Sequence, residues 1–219
     1  MNTLDKILEL NRQPVLSDWF KNKLVELIGF GVYHNDIDLL RERLIRGLEE
    51  YKAKYNTSTV VIGMSGGIDS ALTAALFKEA GYRVVGVTLP ILQDPVETAR
   101  GVEACHALNI EHVNVDLTKQ YEFLVKDISE TSDTSLSGSD RSIAMRRGNI
   151  RARLRMITLY NLAGVHRGFV ASTDNFSELA AGFWTLHGDV GDVAPIQSLT
   201  KSWEVPALAN LMQVPKSII

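Results

Sequence analysis

The 219-residue sequence predicts an α/β fold, a doubly wound parallel sheet with flanking helices, preceded by an N-terminal helical extension. Three observations predict it. Short Val-rich runs alternate with helix-like segments, the pattern of a parallel sheet covered on both faces. A turn rich in glycine and serine joins the first of these strands to the helix after it. The chain is also long enough for one domain with a substantial core, and 45% hydrophobic with 22% charged residues is an ordinary globular composition.

Taken in order, residues 17–30 and 37–54 read as helices. In the second, Leu39, Leu40, Leu44, Ile45 and Leu48 form an apolar stripe opposed by Arg41, Arg43, Glu49 and Lys52. A boundary near 36 separates an N-terminal helical extension (1–36) from one larger domain (37–219). The alternation then runs strand 59–64, helix 70–80, strand 83–89 ("RVVGVTL"), helix 95–108 and strand 111–115. The Ser-rich stretch 129–140 predicts an exposed loop. A long helix at about 147–163, a strand at 168–172, a polar loop and a helix near 203–212 complete the chain. The sequence shows no internal repeat and no interdomain linker.

A net charge of −3 gives no sign of a polyanion-binding surface, so no nucleic-acid partner is expected. Cys105 is the single cysteine, which excludes an intrachain disulfide and fits a reducing compartment. No apolar run approaches the length of a membrane span. The first thirty residues carry eight charges, which leaves no room for a signal-peptide core. These features predict a cytoplasmic protein without a membrane partner.

The stretch "GMSGGIDSA" (63–71) carries the chemistry. A tight, glycine-rich turn from strand to helix aims bare backbone N–H groups at an anion, at the positive end of the helix. Ser65 and Ser70 add hydroxyl donors, and ligands of open parallel sheets sit at the carboxyl ends of the strands. The turn therefore predicts a phosphate site. It lacks the Gly-Lys-Ser/Thr of the P-loop and the glycine spacing of the dinucleotide fingerprint. With no lysine in the turn and Asp69 within it, a divalent cation is the natural bridge between carboxylate and phosphates. The alternative is that Asp69 merely caps the helix.

"SGGIDS" resembles the signature of the ATP pyrophosphatases, which split ATP between its α and β phosphates to adenylate a substrate. "GNIRARLRM" (148–156), "STDNFSELAAGF" (172–183) and "GDVGDVAPIQSLTK" (188–201) narrow the resemblance to ammonia-dependent NAD synthetases, over roughly residues 37–219. It implies an adenine nucleotide α-hydrolase-like fold. It also implies a reaction in which the carboxylate of nicotinic acid adenine dinucleotide (deamido-NAD) attacks ATP, after which ammonia displaces AMP.

The resemblance implies roles for individual residues. Gly63, Met64, Ser65, Gly66, Gly67, Ile68, Asp69 and Ser70 would form the ATP-binding loop, joined by Thr173 and by Lys201 on the phosphates. Asp69 and Glu178 would hold Mg²⁺. Asn149 and Arg153 would bind deamido-NAD, and Asp189 would hold and polarise the incoming ammonia. Asp69, Asp189 and Lys201 are thus the expected catalytic residues, with ATP as co-substrate.

Six arginines lie between Arg141 and Arg155, followed by a stretch apolar on most sides. No aromatic residue interrupts the run, so an RNA-stacking surface has little support. In the family this helix belongs to a dimer interface, which implies a homodimer. Cys105 lacks any amidase domain around it, so free ammonia or a separate glutaminase is expected as the nitrogen source. Two family contacts to the dinucleotide are changed: Leu186 stands where a lysine is common, and Val193, with Asp192 beside it, where an aspartate is. Synthetases of this type also continue for several tens of residues past the equivalent of Ile219; either the sequence is truncated or the natural protein is shortened, and only a tail that is truly absent implies weak or no turnover with ATP binding retained. Competing readings keep the ATP chemistry with another acceptor, or keep nucleotide binding without catalysis.

Overall fold

Four parallel strands in the order β3-β2-β1-β4 form the single sheet of a computed structural model that describes residues 36–131 and 139–219. The helix expected at 17–30 and nearly all of the proposed 1–36 extension lie outside the described residues, as does most of the Ser-rich stretch. The elements follow as α1 (Ile37–Tyr55), β1 (Thr59–Gly63), α2 (Ile68–Glu79), β2 (Arg83–Thr88), α3 (Pro95–Ala107), β3 (Glu111–Asn114), α4 (Thr118–Thr131), α5 (Asp140–His166), β4 (Phe169–Val170), α6 (Phe176–Ala181) and α7 (Glu204–Leu211).

Strand β1 is the centre of the fold because it pairs on both sides, Val61 opposite both Val85 and Val170. Its side chains alternate between two cores, as period-2 geometry requires. Val60 and Ile62 pack with α1, α2, α3 and α7, whereas Val61 packs with Leu117 and Tyr121 on the α4 side and with Met156, Leu159 and Ala163 of α5. Both faces are therefore covered, as the continuous Val-rich strands imply.

Local signals set the boundaries. Asp36 caps α1 by accepting from Leu39 N at 2.9 Å, and Asn56 ends that helix with φ 49°. Asp94 and Pro95 open α3 in the same manner. Helix α5 starts at Asp140 rather than near 147, because Ser139 caps it by accepting from Ser142 N. Helix α4 replaces what the sequence reading left unassigned, and its last residues occupy the start of the expected loop at 129–140.

The expected strand at 168–172 is shortened to two paired residues, with Ala171 adding an isolated bridge to Val193. Its outer edge is taken by the segment after α6. Asp192 N donates to Val170 O at 2.7 Å, and Asp192 Oδ2 accepts from Val170 N at 2.9 Å. A side chain and a loop thus close an edge that a fifth strand would otherwise seek.

Candidate active site

The turn after β1 is built by packing as much as by conformation. Met64 N donates to Val87 O at 2.7 Å, which holds the turn against the end of β2. Gly66 has φ +84°, and a Cβ there would stand 2.2 Å from Glu97 O of α3. Only glycine fits. Gly67 is the N-cap of α2 in an extended conformation with no side-chain hydrogen bond, so the first amides of that helix remain available. Ser65 and Ser70 face each other at 3.2 Å, and Ser70 Oγ donates to Gly67 O at 3.0 Å.

This turn is the floor of a cavity of about 800 Å³. The crossover from β2 to α3 forms one wall, and Ala171, Thr173, Asp174, Gly188 and Asp189 form another. The third wall is one face of α5: Gly148, Arg151, Ala152, Arg155, Met156 and Leu159, spaced at helical intervals of three and four. Of the residues expected at the site, Gly63 to Gly67, Thr173 and Asp189 line this cavity, while Ile68 and Ser70 sit in α2 behind the turn.

Asp69 does not cap its helix. Its Oδ1 accepts from Asn175 Nδ2 at 3.0 Å and its Oδ2 from Lys201 Nζ at 2.7 Å. Lys201 Nζ is also 3.6 Å from Glu178 Oε1, so three residues from distant segments meet at one point. The meeting is anchored by Lys201 N donating to Ser177 Oγ at 3.0 Å and by a capping box in which Asn175 and Glu178 exchange hydrogen bonds. Half-burial would push the Lys201 ammonium down, but the hydrogen bond and charge of Asp69, with the charge of Glu178, outweigh it and hold its pKa above the ordinary value.

Asn149 and Arg153 lie on a different face of α5 from the cavity. Thr185 Oγ1 donates to Asn149 Oδ1 at 2.9 Å, and Arg153 Nε donates to Leu186 O at 3.1 Å. Both therefore grip the Thr185–Asp189 turn, whose far end presents Asp189 to the cavity with its Oδ2 accepting from Thr185 N. Asp192, beside Val193, accepts from Tyr160 Oη at 2.9 Å and from Val170 N at 2.9 Å. Cys105 is fully buried and its thiol is pushed up to about 11, which removes it as a nucleophile at neutral pH.

Three residues escape sequence reasoning. Arg155 donates from Nε to Leu89 O at 2.9 Å and from Nη2 to Gln93 Oε1 at 3.2 Å; burial and the neighbouring Arg151 lower its pKa. The Asp174 carboxyl is raised, chiefly by burial, with Asp189, Glu178 and Asp69 adding to the shift against a Ser172 hydrogen bond. Asn175 is fully buried beside Asp69. The spacing of Asn175 to Glu178 is a capping signal, and Arg151 with Arg155 at i,i+4 is a facing-pair signal; neither identifies a site alone.

The oxygen-rich donor set fits a hard cation. Mg²⁺ is held by one or two carboxylates together with substrate phosphates, and Asp69 with Glu178 supplies that number. Among the described residues no group of three or more His, Cys, Asp or Glu is placed to hold a metal without a ligand's help.

Comparison with known proteins fits this geometry. The sequence model of the family described as NAD synthase matches residues 40–219. An NH(3)-dependent NAD(+) synthetase of Alkaliphilus oremlandii is 34% identical over 181 residues, covering 81% of this chain and 72% of the relative. Among solved structures, the NMN synthetase from Francisella tularensis is 30% identical with a TM-score of 0.74, over 84% of this chain and 73% of that one. The NH3-dependent NAD synthetase from Campylobacter jejuni, solved with a nitrate ion, is 29% identical with a TM-score of 0.73, over 84% and 76%.

Proposed function

We infer that this chain, which belongs to the NAD synthase family, is a ligase that uses ATP and ammonia to convert deamido-NAD to NAD. The observation that carries the reading is the convergence of Asp69, Glu178 and Lys201 beside the phosphate-type turn. One point gathers two carboxylates and an ammonium at the first turn of α2, directly after the turn that floors the cavity, which is what transfer at a polyphosphate requires.

The residues divide the work. Amides at the start of α2, with Ser65 and Ser70, hold the phosphates that leave as pyrophosphate. Asp69 and Glu178 would hold Mg²⁺, which when bound supplies charge neutralisation of the triphosphate. Lys201 sits within reach of both and meets the phosphates as a mobile point charge. Thr173 lines the same cavity beside Asp174. Asn149 and Arg153 fix the Thr185–Asp189 turn and bind the deamido-dinucleotide from the outer face, so that its carboxylate approaches the α-phosphate from the Asp189 side. Asp189 holds the ammonia that attacks the adenylated carboxyl.

The remaining features of the reading are of the same kind. Phe123 of α4 and Ile157 and Val165 of α5 are large apolar side chains more than 60% exposed, which supports a homodimer packed through these helices. No described helix is long and apolar enough to cross a membrane. A cytoplasmic setting, free ammonia or a separate glutaminase as nitrogen source, and a catalytic unit spanning 37–219 complete the proposal.

A second acceptor is favoured by one observation. The NMN synthetase structure matches as well as the NAD synthetase structure. Nicotinic acid mononucleotide is therefore the competing substrate. The test measures amide formation from each acid with ATP, Mg²⁺ and either ammonium or glutamine. The proposal expects NAD from deamido-NAD with ammonium and none with glutamine; turnover confined to the mononucleotide establishes the second reading.

A further inference from the structure

Asn175 makes more hydrogen bonds than its position at the start of α6 demands. An N-cap needs only its side-chain oxygen, and Asn175 Oδ1 duly accepts from Glu178 N at 3.1 Å. Its side-chain nitrogen is free of that task, yet it donates to Asp69 Oδ1 at 3.0 Å, 106 positions away in α2. Its backbone N donates to Glu178 Oε2 at 3.2 Å. The residue is 0% exposed, so water does not compete for these bonds.

The consequence for the two carboxylates is symmetrical. Each has one oxygen tied to Asn175. The other oxygen of each faces the same ammonium, Asp69 Oδ2 at 2.7 Å and Glu178 Oε1 at 3.6 Å from Lys201 Nζ. Two carboxylates held this close repel, and unrestrained side chains would turn apart. A charge-assisted bond from a buried amide fixes the rotation of Asp69, and the capping box fixes that of Glu178.

We propose that Asn175 is a positioning residue that turns Asp69 and Glu178 so that their free oxygens define one cation seat. Lys201 Nζ stands at that seat, and a divalent cation held there by the two carboxylates would leave the ammonium to meet the nucleotide phosphates. This rests on the metal role of Asp69 and Glu178 under the proposed function. Asn175 touches neither ion nor substrate and acts through the two carboxylates.

The experiment separates capping from positioning. Asn175→Ser keeps a capping oxygen but has no donor long enough for Asp69, whereas Asn175→Ala loses both. Binding of α,β-methylene-ATP is measured by calorimetry with Mg²⁺ and with EDTA, alongside the unfolding midpoint. The expected result is that Asn175→Ser holds its midpoint and its affinity in EDTA but loses the Mg²⁺-dependent gain about 10- to 100-fold, the usual effect of removing a ligand's orienting partner. Asn175→Ala loses the same gain and also unfolds at lower temperature. If Asn175→Ser keeps the Mg²⁺-dependent gain, Asn175 is only a cap and the proposal is overturned. If the wild-type chain itself shows no such gain, the metal assignment falls and the proposal with it.

Discussion

Lys201 Nζ lies 2.7 Å from Asp69 Oδ2, joining the first turn of α2 to the loop before α7. The bond pairs the ammonium with the carboxylate. Replacing Lys201 by methionine keeps the apolar stem and removes the ammonium. Pyrophosphate release by Lys201→Met is expected to fall about 10²- to 10³-fold, the usual effect of losing one charge-stabilising group. Free Mn²⁺, followed by electron paramagnetic resonance, should bind the variant more tightly than wild type, because no cation then competes for the carboxylates. Unchanged turnover would remove Lys201 from the chemistry.

Gly66 is the conformational keystone of the phosphate turn. A methyl group there meets Glu97 O and also forces a left-handed backbone on an alanine. Gly66→Ala should cost on the order of 1–3 kcal/mol of stability. It should also weaken ATP binding, since the turn moves away from α3. Denaturant unfolding and ATP calorimetry check both effects.

Asp174 gives a pH-dependent signature. Its carboxyl pKa is raised in the folded chain, so the native state holds that proton more tightly than the unfolded one. Its contribution to stability is fully present below the ordinary Asp range and is lost as pH rises through the raised value. Asp174→Asn mimics the neutral form. The variant should therefore unfold at a higher temperature than wild type at pH 7, and the difference should vanish as pH falls below about 3.9, the ordinary Asp value. Calorimetric scans across pH 3 to 8 measure it, and an equal advantage at every pH would contradict the burial argument.

Asp189 stands at the cavity end of the turn gripped by Asn149 and Arg153. If it holds ammonia, Asp189→Asn should still exchange labelled pyrophosphate into ATP with deamido-NAD present, while amide formation slows. Equal loss of both would assign Asp189 to the adenylation step instead.

Much of the fold was legible because its signals are local. The runs 59–62 and 83–88 are short, Val-rich and bounded by turn residues, and Gly66-Gly67 marks the junction between strand and helix. Helix α4 carries a legible signal that the sequence reading passes over: Tyr121, Leu124, Val125 and Ile128 recur at i, i+3, i+4 and i+7, and only its end merges with a Ser-rich stretch. Helix α6 is only six residues long and reads as loop. The site divides in the same way. The phosphate turn follows from its own sequence, whereas Glu178 and Lys201 enter only through family resemblance, since no local pattern brings them to Asp69. The bond from Asn175 to Asp69 is a property of packing with no local signal, whereas the spacing of Asn175 to Glu178 is legible as a capping box. Arg153, one of six arginines in a run, was singled out by resemblance, yet Arg151 and Arg155 are the two that face the cavity.

The central claim is that this cavity splits ATP between the α and β phosphates to activate a carboxylate, with Asp69 indispensable. The most direct measurement resolves the products formed from ATP, Mg²⁺, ammonium and deamido-NAD by chromatography, for wild type and Asp69→Ala. AMP and pyrophosphate in equal amounts to NAD, with all three lost in the variant, is the predicted result. Formation of ADP and phosphate, or equal yields from both proteins, would contradict it.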